Sequence, residues 1–571
     1  MRHQAYAVFL LALSIGCART PDTAPAPVAD GYDVIIENGR VVDGTGNAWF
    51  YGDVGVRGDR IAAIVPKGLL RDVSAGERID ANGLVVAPGF IDIQSHSRGA
   101  LLTGDSRVVS KITQGITTEI LGEGATNAPA NRLTLQEMGE VTPEVLEQHA
   151  LFMGPEGFNN WLEAMEARGV TPNVGSFVGA ATIRMYGKGM AMGEATPAEL
   201  DSMRTAVRWS MEGGAFGIAS ALIYPPGSYA STPELIEINK AAAPYGGVYI
   251  THIRSEADKF LEGLREAIEI GVAADVPVEV YHLKAAGMRN WHKSALAIAL
   301  IDSARAVGVD IQADMYPYTA GSTGLTACLP PWTAADGELL DNLRDPDTRV
   351  RIREEILHQT EDWENLCQLS TPENVLILGL EKPENQEFSG LRLAEIAQRQ
   401  GKHWIETAMD LILTEESRVG TVYFMMSESN VALQMKQPWI KFGTDAGGAD
   451  PDSARGLTHP RAYGTYPRIL GKYVRDEDVM PLEDAVRKMS SAVATRLSIQ
   501  DRGVLRDGLY ADIVIFDPTT IIDHATFQEP HQLSEGMRHV LVNGVPVIRD
   551  GRHTGAKPGM VVRGPGYRGS R

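Results

Sequence analysis

Short apolar runs alternate with helical stretches through the middle of the chain, the pattern of βαβ units that builds a parallel sheet. Eight such runs stand out: Val85–Ile93, Thr117–Leu121, Asn173–Val178, Phe216–Ala221, Val248–Thr251, Val278–Tyr281, Asp310–Met315 and Ile440–Thr444. Helices such as Pro233–Ala243 and Glu256–Ile270 are expected between them. Eight parallel strands predict an α/β fold of the (β/α)8 type, in which chemistry gathers at the C-terminal ends of the strands. The interval from about 331 to 435 is mostly charged and helical, and is expected to be an insertion between the last two strands.

The two ends of the chain read differently. DVIIENGRVVDGTG, from Asp33, holds two β-branched runs around Asn38-Gly39, and HVLVNGVPVIRDG, from His539, holds two around Asn543-Gly544. Each predicts a hairpin with a type I′ turn, because both turn residues tolerate positive φ. LYADIVIFDP (Leu509–Pro518) adds another strand. A small β-sandwich domain built from 32–84 and 500–571 is therefore expected to flank a barrel spanning 85–499.

Before it, Arg2 and His3 precede an apolar stretch from Ala5 to Gly16, a signal-peptide core too short to span a bilayer. Residues 1–16 are read as the signal and 17–31 as a linker. Gly16-Cys17 followed by ARTPDTAPAPVAD resembles a bacterial lipoprotein signal, although Ser14 stands where such signals usually carry Leu. Export is expected, with either lipid anchoring at Cys17 or ordinary release into the periplasm.

Composition narrows the function classes. The 571 residues carry 53 Lys+Arg against 73 Asp+Glu, a net charge of −20, which argues against nucleic acid or an anionic membrane as partner. Cys17, Cys328 and Cys367 have no short spacing, which excludes a disulfide scaffold and a cysteine zinc finger. A metal must rest on His and carboxylate. Of 13 histidines, three follow predicted strands: His96, His252 and His282. Asp445 ends the eighth strand. Strand ends converge on one mouth, so these four can meet despite their separation.

On these residues the chain resembles the amidohydrolase superfamily, and within it the N-acyl-D-amino-acid deacylase (D-aminoacylase) family. The resemblance rests on APGFIDIQSHS, TQGITTEILGEG, GAFGIASALIYPPGSYAS, THIRSE, YHLKAAG, DMYPYTAGST, HPRAYGTYPRILGKYVR and GVLRDGLYADIVIFDP. It implies the same barrel and terminal β-domain, and a zinc site. His252 and His282 match the family's two tightly held ligands. The family's His-x-His is reduced to Gln94-x-His96, and its GNCG cysteine is replaced within Gly122-Glu123-Gly124-Ala125. Glu123 can supply an anionic oxygen in place of the thiolate. Glu123, His252 and His282 thus form the expected set for one zinc with an open position for water; a second site is doubtful because Gln94 is a poor ligand. His96 is expected either as a weak second-site ligand or as a hydrogen-bond donor to the scissile carbonyl. Asp445 matches the catalytic aspartate, and Lys284, Tyr316, Ser322 and Arg461 the positions that hold a substrate α-carboxylate.

The implied reaction is hydrolysis of the amide of an N-acyl-D-amino acid, or of a related dipeptide carrying a D residue. Two alternatives stay open: another amidohydrolase reaction on a peptide, cyclic amide or lactone, and a non-catalytic binding protein that has lost the His-x-His and GNCG ligands.

Overall fold

A computed structural model describes residues 31–136, 142–358 and 363–569. The signal peptide, Cys17 and all but the last residue of the linker lie outside the described residues.

Eight parallel strands form the barrel: Phe90–Asp92, Ile116–Leu121, two short segments within 173–179, Gly217–Ala221, Val248–His252, Val278–Val280, Ile311–Met315 and Ile440–Phe442. Neighbours in sequence are neighbours in space, which right-handed crossover connections produce. Between the third and fourth strands the Phe216 amide donates to the Ser176 carbonyl. The ring closes where the Asp445 amide donates to the Gln94 carbonyl at 2.9 Å and the His96 amide to that of Ala446 at 3.0 Å. Strands such as Val248–His252 are buried at every position, as expected of strands covered by side chains within the barrel and by helices outside. The helix Phe260–Ala274 packs Phe260, Leu264, Ala267, Ile270 and Ala274 inward, a three-to-four residue spacing that makes one apolar face. This helix begins four residues later than its periodicity predicts. Ser255 Oγ accepts from the Ala257 and Lys259 amides, and a carboxylate from the insertion, Glu364, accepts from those of Glu256 and Ala257, so this stretch is a loop at the barrel mouth.

The predicted first strand, Val85–Ile93, divides in two. Val85–Pro88 pairs with Tyr32–Val41 and Ile513–Phe516 in the terminal domain, and only Phe90–Asp92 enters the barrel. Gly89 makes the break, since a Cβ there would lie 2.1 Å from Thr117 Oγ1. The strands from both termini form the expected small β-domain, connected as one nine-stranded sheet that continues through Tyr32–Val41. The hairpin at Asn543-Gly544 forms, with Val542 opposite Val545 and both turn residues at positive φ. The one expected at Asn38-Gly39 does not. There the strand runs straight through, with a bulge between Ile36 and Gly39. Asp53 accepts the Asn38 amide, and pairing with Phe50–Arg57 continues on both sides, so tertiary pairing overrides the local turn preference.

The insertion begins earlier than its charge pattern indicates. Ala320–Gly324 pairs with Gly420–Phe424, which also pairs with Val375–Ile377, giving a three-stranded antiparallel sheet beside the mouth. A disulfide joins Cys328 to Cys367 within it; their separation of 39 residues gave no sign of pairing.

Candidate active site and metal centre

The barrel mouth opens on a cavity of about 720 Å³, and all nine residues singled out from the sequence line it. His252 is the last residue of its strand, and His282 follows its strand by two residues. His282 (φ 35°) and Asp445 (φ 50°) both sit in the left-handed region, where a non-glycine residue is held by its surroundings and which clusters at functional sites. For His282 the anchor is an amide hydrogen bond to Asp314 Oδ1 at 2.8 Å.

Glu123 is the centre of the cluster. Its Oε1 lies 3.3 Å from His282 Nε2 and 3.6 Å from His252 Nδ1. Two ligand atoms on a tetrahedral zinc, at bonds of about 2.0–2.1 Å, stand about 3.4 Å apart. The three side chains therefore fit a zinc ion by spacing and by donor chemistry, one carboxylate and two imidazoles. Burial alone would raise the Glu123 carboxyl, but the bonds to His252, His282 and His96 outweigh it and hold the group well below the usual carboxylate range. Glu119, on the same strand, points elsewhere: it is buried and bound to Ser95 and Ser97, with Lys111 beside it.

Glu123 Oε2 faces a second group. His96 Nε2 lies 3.2 Å from it and 2.9 Å from Asp445 Oδ1, so His96, Glu123 and Asp445 converge as well. Gln94 donates its amide N–H to this same oxygen, and an N–H cannot ligate a cation. Burial lowers the His96 pKa, yet its two carboxylate partners raise it to about 9.

Asp445 Oδ2 pairs with Arg461 Nη1 at 2.6 Å. Burial would raise the Asp445 carboxyl; Arg461 and His96 together lower it below the usual range, so Asp445 is an anion poised beside the zinc triad. The Arg461 guanidinium also lies 4.6 Å from the centre of the Tyr316 ring and donates to the Ser322 carbonyl at 3.2 Å. Ser322 Oγ donates to the Thr421 carbonyl at 2.9 Å. Lys284 is deeper than a simple clamp at the rim: it is buried, with Nζ 2.7 Å from Glu256 Oε1 and 2.7 Å from His282 Nδ1.

Sequence reasoning missed Glu256, which lines the cavity and touches Lys284 and His282. Its signal was present in THIRSE, four residues after His252. Tyr224, also in the wall, stacks edge-on against His252 at 5.5 Å and was likewise not singled out.

The amidohydrolase family matches residues 379–548. A D-aminoacylase of Alcaligenes xylosoxydans xylosoxydans is 35% identical over 533 residues, covering 93% of this chain and 97% of that one. A D-aminoacylase structure described by one-metal activation and second-metal attenuation of its binuclear centre has a TM-score of 0.76 and 34% identity, covering 93% of this chain and all of the other. N-acyl-D-glutamate deacylase of Bordetella bronchiseptica, solved with zinc and a phosphonate mimic of the tetrahedral intermediate, has a TM-score of 0.75 and 32% identity, covering 94% of this chain and all of the other.

Proposed function

The chain belongs to the D-aminoacylase family of amidohydrolases, and from that premise and the site's geometry we infer that it is a zinc-dependent hydrolase of N-acyl-D-amino acids, releasing a carboxylate and a free amino acid. The observation that carries this reading is the meeting of two elements in one cavity: a Glu-His-His set at zinc spacing, and an ionised Asp445 bound to an arginine. A protein that had kept the barrel only for binding would not need both.

When bound by Glu123, His252 and His282, zinc supplies a Lewis acid that polarises a carbonyl and brings the pKa of water toward neutrality. The remaining work falls to the chain's own side chains. Asp445 takes the proton of the attacking water and returns it to the leaving nitrogen, the role of a carboxylate kept ionised by Arg461. Arg461, Tyr316 and Ser322, grouped on one wall, receive the substrate α-carboxylate, and Lys284 adds charge from below. His96 stands at the more exposed edge and donates toward the oxygen that gains charge during attack.

A single tightly held zinc follows from Gln94, whose N–H takes the Glu123 oxygen that a second ion would share. The test is the purified zinc-loaded protein against paired N-acetyl-D- and N-acetyl-L-amino acids, cyclic amides and lactones. Turnover confined to the D-acyl compounds is the expected result; turnover of cyclic amides or lactones alone would overturn it.

Export accompanies this reading. The Cys328–Cys367 disulfide suits an oxidising compartment, and the Gly16-Cys17 boundary suits lipid anchoring there. Cys17→Ser should move the protein from the membrane to the soluble periplasmic fraction; wild-type protein already soluble would overturn the anchor.

A further inference from the structure

The two histidines of the zinc triad present themselves in the same way. Each turns one ring nitrogen to Glu123 and the other to Glu256. His282 Nδ1 lies 2.9 Å from Glu256 Oε1, and His252 Nε2 lies 3.6 Å from Glu256 Oε2. His252 Nε2 is buried and makes no hydrogen bond among the described residues, with Glu256 Oε2 at 3.6 Å facing it. Glu256 is itself buried, and its Oε1 also takes the Lys284 ammonium at 2.7 Å. One carboxylate thus places an oxygen behind each of two facing imidazoles, whose rings stand 4.5 Å apart at 84°.

The backbone beneath Glu256 is fixed from outside the barrel. Glu364, contributed by the insertion, accepts from the Glu256 and Ala257 amides at 2.5 and 2.7 Å and from Ser255 Oγ at 2.7 Å. These bonds hold the loop after the fifth barrel strand in a non-helical course and so hold the Glu256 side chain over the two rings.

We propose that Glu256 is a positioning residue for the metal centre, a single carboxylate whose two oxygens face the outer nitrogens of both zinc histidines and take their N–H when the ion is bound, and so set their tautomers and orientation. The proposal rests on the zinc reading above and deepens it. An imidazole that ligates through one nitrogen must carry its proton on the other, and an anionic acceptor there fixes the ring and increases its basicity. Sharing one acceptor couples the two ligands: any displacement of Glu256 disturbs both. Lys284 has a matching part: its ammonium offsets the negative charge that Glu256 would otherwise bring to the centre, and its 2.7 Å approach to His282 Nδ1, which only an unprotonated nitrogen can accept, gives way to its bond with Glu256 alone once that nitrogen carries the proton.

The test is Glu256→Gln in the full-length protein, with zinc affinity measured by competition against a chromogenic chelator and folding followed by circular dichroism. A glutamine keeps the shape but offers one acceptor oxygen and no charge. Zinc affinity is expected to fall by about 10- to 100-fold, with Glu256→Asp recovering part of the loss. A folded Glu256→Gln protein that binds zinc within about twofold of the wild type would overturn the proposal. Should the variant not fold, nitrogen-15 spectra of histidine in the zinc-loaded wild type decide the matter. Slowly exchanging protons are expected on His282 Nδ1 and His252 Nε2; a missing proton on either would refute the shared acceptor. Neither measurement reads hydrolysis, so failure of the substrate assignment and failure of this proposal are distinguishable.

Discussion

Replacing Arg461 by Met tests how the site combines substrate binding with proton transfer. The guanidinium is almost fully buried, sits 2.6 Å from Asp445 and stands over the Tyr316 ring. In a protein of net charge −20 it is one of the few cations that can offset the general repulsion of an anionic substrate. A charge-assisted hydrogen bond to the substrate carboxylate contributes about 1.5–3 kcal/mol, so Arg461→Met should raise KM for an N-acetyl-D-amino acid by about tenfold to 150-fold. The same change removes the partner of Asp445. Because Arg461 lowers the Asp445 carboxyl, its loss raises that group, and the acid limb of the kcat profile should move to higher pH. The assay is steady-state hydrolysis across pH for the free acid and its carboxamide, in wild type and variant. Amidation should weaken the wild type about as much as the mutation does and cost the variant little more, because both changes delete one pair. Equal hydrolysis of acid and amide by the wild type would refute the carboxylate pocket, and an unmoved acid limb would refute the coupling to Asp445.

Elemental analysis of the wild type should find about one zinc per chain, falling toward none in His252→Asn; two tightly held ions would contradict the part assigned to Gln94. Asp445→Asn should keep its zinc while kcat falls by several orders of magnitude, since the proton carrier is lost and the Lewis acid is not; a tenth of wild-type activity in single-turnover assays would exclude the role. Burial and the nearby Glu256 raise the Glu364 carboxyl from 4.5 to about 7. A group raised on folding favours its protonated form in the native state, so its contribution to stability declines as pH rises from about 4.5 to 7. Relative to Glu364→Gln, the wild type should therefore lose about 1–3 kcal/mol between pH 5 and pH 8 in denaturant titrations; a difference constant with pH would show that Glu364 does not titrate in this window.

The sequence by itself determined the barrel, the order of its strands and the residues that meet at its mouth. Strands buried on both faces must be apolar along their length, and a His or Asp that interrupts such a run at its C-terminal end is conspicuous. Asn543-Gly544 was legible too, because a two-residue turn is a local matter of positive φ. Where partners come from distant chain, the same local signals failed. Asn38-Gly39 carries the identical dipeptide, yet Asp53 and the neighbouring strand hold it as a bulge. The division at Gly89 was set by its closeness to Thr117, and the Cys328–Cys367 pairing by the folding of the insertion. In the site, ligand types could be read because zinc chemistry restricts them to a few residues. The engagement of Lys284 by Glu256, of Asp445 by Arg461 and of Glu123 by Gln94 could not, since each depends on distances of a few ångströms between side chains 16 to 29 positions apart in sequence. Only the closed ring of strands, which brings every strand end to one rim, fixes those distances.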